Sequence, residues 1–279
     1  MSETRRHTEL RNAALHLLAV SDITQKVEGV HQLAKDWSAN AISLDESDEL
    51  TALPEIPGQP DKPELVPPRH VKRRAMNTTA GRAALIHALA HIEFNAINLA
   101  LDAVWRFANM PTEYYADWLQ VADEEALHFS LLAGHLKALD YAYGDFPAHN
   151  SLWEMADKTK DDILARIALV PRTMEARGLD VVPSIRYKLE QAGDCQAAGI
   201  LDIILRDEIG HVAIGNRWYA YLCKQRGLET ITTYSRLAEE YQAPALRGPF
   251  NMEARRAAGF DEMELAGLVV QDNQPENNK

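Results

Sequence analysis

Two glutamates in this chain stand three residues ahead of a histidine within long apolar-patterned stretches: Glu125 before His128, and Glu208 before His211. On an α-helix that spacing puts both side chains on one face, about one turn apart. Each pair can therefore offer a carboxylate oxygen and an imidazole nitrogen to a single ion. A lone glutamate precedes each pair at nearly the same interval, Glu93 lying 32 residues before Glu125 and Glu175 lying 33 before Glu208. The implied chemistry is a pair of metal ions held by four carboxylates and two histidines. Carboxylates tolerate changes of binding mode as iron cycles between ferrous and ferric, and imidazole is a suitable ligand for iron. Chance accounts for one such motif: 22 Glu and 10 His in 279 residues give roughly one Glu-x-x-His at random. A third match, Glu28 and His31, has no glutamate upstream at the right interval and is read as that accident.

The elements that must position these groups follow from the helical period. Four long helices are expected at about 78–109, 111–143, 151–177 and 194–226. Pro111 with Thr112 and Glu113 suits a start, Ser151 with Glu154 resembles a capping box, and Gly144, Gly178 and Gly227 suit ends. The core stripe of each helix carries an acid where an apolar residue belongs. Ile86, Ala90, Glu93, Ile97 and Val104 form one stripe, and Ala197, Leu201, Ile204, Glu208 and His211 form another. A buried carboxylate costs several kcal/mol, on the order of a lost ion pair, unless it is protonated or paired. These stripes contain no Lys or Arg, so a bound metal pair is the expected source of compensating charge.

Around this middle part the sequence falls into three regions. Residues 1–77 are expected to form a helical hairpin followed by a strap, with Pro54, Pro57, Pro60, Pro63, Pro67 and Pro68 excluding helix. Residues 78–240 are the di-metal helical domain, and residues 241–279 are an extension ending in a polar tail expected to be disordered. The fold class is all-α. The formal net charge of −12 disfavours broad nucleic-acid binding. Arg69, His70, Lys72, Arg73 and Arg74 are a local exception, read as a solvated basic patch. No secretory leader or apolar run of membrane-spanning length is read, and Cys195 and Cys223 form no short metal or redox motif. The expected location is the cytoplasm, without membrane association.

The segments HIEFNAINLALDAVWRF, DWLQVADEEALHF, ALVPRTMEARGLD and LRDEIGHVAIGNRWYAYLC resemble a bacterial family of ferritin-like proteins of unassigned function. More distantly, the Glu-Ala-Arg at Glu175 is similar to the ferritin-like tRNA hydroxylase acting on methylthio-isopentenyl-adenosine. The resemblance implies a ferritin-like four-helix bundle with two iron ions per chain, manganese or a mixed pair being alternatives. It implies Glu93, Glu125 and His128 on one metal, Glu175, Glu208 and His211 on the other, and Glu125 and Glu208 bridging. It further suggests that Glu124 and Asp207, each preceding a ligand glutamate, hold the ligand histidines from a second layer.

Several neighbouring residues admit two readings. His87 and His91 are spaced for a second metal pair, but core histidines near Glu93 are favoured. His135 is read as a core or supporting histidine rather than a seventh ligand. Pro171 must bend its helix four residues before Glu175, either opening room for a reactant or fitting the helix to its neighbours. Gly199, Gly210 and Gly215 are unusual inside a helix; Gly210, between Glu208 and His211, either leaves space near the metals or allows close helix packing. The functional expectation is a non-haem di-iron oxidoreductase using dioxygen on a small organic substrate, with electrons from a separate reductase. A ferroxidase or peroxide scavenger is one alternative, and a helical interaction module with a vestigial site is another. The tRNA-hydroxylase likeness is a minor option, and a homodimer is the expected assembly.

Overall fold

The structure is a computed structural model that describes residues 9–72 and 74–272. It is all-α, as expected: among the described residues no β-strand is present, only the isolated bridges Glu9 to Ser43 and Leu65 to Ala148. The chain divides into two compact units, Met1–Trp153 and Glu154–Lys279. The expected tail lies at residues 273–279, outside the described residues.

In the first unit, α1 (Leu10–Leu18) and α2 (Ile23–Ser38) form the expected N-terminal hairpin. Glu9 and Asp22 cap them by accepting backbone N–H groups of the first turn. They pack against α3 (Thr79–Arg106) and α4 (Thr112–Ala138), which pack along each other. α3 is long and apolar enough to cross a membrane by composition, but most of its apolar window is buried in the fold, as a core helix is. Helix formation therefore needs tertiary partners rather than propensity alone. The strap holds no α-helix but is not extended throughout: it turns at residues 54–57 and closes in a 3-10 turn, Pro68–His70, and its Gly58 lies so close to the end of α1 that a Cβ there would meet the Ala19 carbonyl at 2.3 Å. Two buried cations fasten these pieces. Arg11 donates to the carbonyls of Asp48 at 2.6 Å and Trp105 at 2.9 Å. Lys26 donates to Leu18 O, Gly58 O and Asn98 Oδ1 at 3.2, 3.2 and 2.5 Å.

The second unit differs from expectation in its first helix. Instead of one helix over 151–177, α5 (Ser151–Lys158) stops after eight residues, and α6 (Ile163–Leu169) restarts on Asp162, which accepts from Leu164 N at 3.0 Å. The polar run from Thr159 to Asp162 makes the break. A π-helical turn, Val170–Glu175, follows and leads into α7 (Ala176–Gln191). Gly178 is therefore interior rather than terminal, and Pro183 is also accommodated within α7. α8 (Cys195–Arg226) matches the expected fourth helix and ends on Gly227 at φ 64°, where glycine is favoured. α9 (Thr230–Glu240), α10 (Met252–Ala257) and α11 (Glu262–Asp272) complete the unit. Ala258, Phe260, Leu265 and Leu268 from the C-terminal segment pack with Leu179 of α7 and Val212 of α8. Arg255 locks them with a bidentate pair to Asp180 at 3.0 and 2.6 Å.

Candidate metal centre

Glu93 sits at the middle of α3, and Glu125 and His128 sit one turn apart on α4, all facing inward with 4%, 1% and 0% exposure. One ligand-type atom from each of the three lies within 4.8 Å of the others. His128 presents Nδ1 to both carboxylates, 3.5 Å from Glu93 Oε2 and 3.4 Å from Glu125 Oε2. Burial alone would lower this imidazole, but the two carboxylates outweigh it and push it up to about 11. The two carboxylates therefore favour the protonated imidazole.

The second unit repeats the motif on α8. Glu208 and His211 are buried, and His211 also presents Nδ1 to its glutamate, at 3.8 Å from Glu208 Oε1. Glu175 closes the π turn and is half-buried. The donors in each set, two carboxylates and one imidazole, are those that suit ferrous and ferric iron or manganese. In the first unit they converge within one ion's reach, so the residues fit a metal.

Other sequence-selected residues take clear places. His87 is buried, accepts at Nε2 from Gly144 N–H at 2.9 Å and stacks on Tyr143. His91 hydrogen-bonds the Tyr143 hydroxyl at 2.8 Å and the His149 carbonyl at 3.1 Å. Burial pushes both down to about 4, so they are neutral core histidines, as favoured. His135 is buried on α4. Glu124 accepts from Gln120 at 3.0 Å, and Asp207 accepts from Arg206 at 2.7 Å. His31 of the accidental motif pairs with Asp123 at 2.5 Å, at a partly exposed edge of the first unit. Gly199 and Gly210 are exposed, and a Cβ at either meets nothing, so neither makes room near the ligands. Gly215 does permit close packing: its Cβ would stand 2.9 Å from Pro171 Cβ. Arg172 and its partners were missed by sequence reasoning, although a charged residue in the apolar run LARIALVPRTME was a usable signal.

The chain is 50% identical over 231 residues to an uncharacterised protein of Haemophilus influenzae, covering 80% of each. No solved structure matches it. Residues 19–266 match the family described as "Protein of unknown function (DUF455)", a span that includes all six candidate ligands and both helix pairs carrying them, and the chain belongs to that family.

Proposed function

We propose that the protein is a non-haem di-iron oxidoreductase of the ferritin-like kind, in which Glu93, Glu125, His128, Glu175, Glu208 and His211 serve as the metal ligands. The observation that carries this reading is the pair of buried Glu-x-x-His motifs, each with its histidine Nδ1 turned toward carboxylate. Two bound ferrous ions would supply the electrons that reduce dioxygen to a species able to oxidise an organic molecule. The chain's own contribution is electrostatic and positional. Four acidic side chains offset the charge of two divalent ions, and burial of five of the six residues restricts competing water. The π turn supplies the sixth, Glu175, from a widened stretch of helix.

A substrate-oxidising role is preferred to iron storage because the segments beyond the ligand helices are built into the fold. α1 and α2 cover α3 and α4 in the first unit, and α10 and α11 cover α7 and α8 in the second. Such covering suits an enclosed site for a small molecule. The reading is tested by iron content per chain in the wild type and in a His128→Ala/His211→Ala double variant. About two irons, lost in the variant, support it, and oxygen consumption with candidate substrates then follows. Wild-type protein that cannot be loaded with ferrous iron excludes it.

A further inference from the structure

The three residues preceding Glu175 by two to four positions are each pinned by a different contact within the second unit. Pro171, which has no N–H to give, rests against Gly215 of α8 where only a glycine fits. Thr173 donates its hydroxyl to the Ala168 carbonyl five residues back at 2.8 Å and meets the Tyr234 hydroxyl at 2.9 Å. Arg172 is the central fastening. It is 5% exposed, and its guanidinium carbon lies 4.6, 5.0 and 5.0 Å from the ring centres of Tyr219, Tyr234 and Phe260. Its Nε donates to Asn216 Oδ1 at 2.8 Å, and its Nη2 pairs with Glu264 of α11. Asn216 in turn donates to the Ala258 carbonyl at 2.7 Å, and Glu264 accepts from Asp261 N at 3.1 Å. The C-terminal segment thus reaches the π turn through two side chains that meet on one arginine.

A π turn carries one residue more than the α-helix it interrupts, and helix propensity favours its collapse. Collapse to α geometry would rotate the residues on one side of the turn by roughly 100° relative to the other. We infer that Arg172 is a positioning residue: clamped by Asn216 and by Glu264 of the C-terminal segment, it holds the π register that aims the Glu175 carboxylate. This rests on the metal reading above and adds that the C-terminal segment supports the backbone carrying one metal ligand.

The test uses metal-free full-length protein and cobalt(II) as the probe, read by equilibrium dialysis and visible absorption, with circular dichroism confirming the fold. Arg172→Met keeps the aromatic cage filled, and Glu264→Gln removes the charge with little change of shape. Each is expected to weaken cobalt binding by about tenfold, the usual range for groups that orient a ligand. In a Glu175→Gln background, Arg172→Met should change the affinity less than about twofold, because the ligand it aims is already gone. If Arg172→Met does not fold, Glu264→Gln alone and in the Glu175→Gln background decides. Unchanged affinity in both single variants, or weakening that adds in full to that of Glu175→Gln, overturns the inference while leaving the metal reading intact. Wild-type protein that takes up no cobalt overturns both.

Discussion

His128 stands against two buried carboxylates, which favour its protonated form. A folded-state value of about 11 against 6.5 for an ordinary histidine means the folded form binds the extra proton between those pH values. That stabilisation is fully present below pH 6.5 and is lost as pH rises through 11. Removing the imidazole leaves Glu93 and Glu125 facing each other without it. Metal-free His128→Ala should lose about 3 kcal/mol in urea unfolding at pH 7, the scale for breaking one side of a buried pair. A loss indistinguishable from zero would show that the carboxylates are not compensated through this histidine. Metal loading should release protons into weakly buffered solution, since a ligating Nδ1 must be deprotonated.

Two glycines on α8 make opposite predictions that propensity alone cannot separate. Gly215→Ala forces a methyl to 2.9 Å from Pro171 and should cost about 1–3 kcal/mol, displacing the π turn. Gly210→Ala meets nothing and should stabilise by up to about 1 kcal/mol through helix propensity. Thermal unfolding of the two variants side by side checks the pair, and destabilisation of equal size by both would contradict the packing account. The fastening of the turn by α11 belongs to this scale too, since Glu264 pairs with Arg172 from outside both α6 and α7.

Across the whole molecule, the acid side of the stability curve is set in part by neutral buried histidines. His87 and His91 are pushed down to about 4 by burial, so the unfolded chain binds more protons between pH 4 and 6.5. Stability should therefore fall as pH falls through that window. Protonation of His87 also removes the Nε2 acceptor used by Gly144 N–H. His87→Gln should reduce the loss between pH 6.5 and 4 by about 1–2 kcal/mol in urea titrations, and an unchanged slope would count against it. The alkaline side is less informative. Lys26, pushed down to about 7 by burial, makes stability rise from pH 7 to 10.5, opposing the His128 contribution.

What the sequence determined by itself is what depends on neighbours three or four residues away. The Glu-x-x-His pairs on α4 and α8, the all-α class and the absence of α-helix in the proline strap all follow from local spacing and backbone restriction. The break at residues 159–162 was marked by polar residues but outweighed by the apolar period on either side. Only the tertiary structure decided that a π turn separates α6 from α7, that Gly178 and Pro183 stay inside α7, and that Arg172 is buried. For Arg172 and the π turn the reason is that they depend on partners 44 and 92 residues away, at Asn216 and Glu264, whose contacts stabilise a backbone that local propensity disfavours.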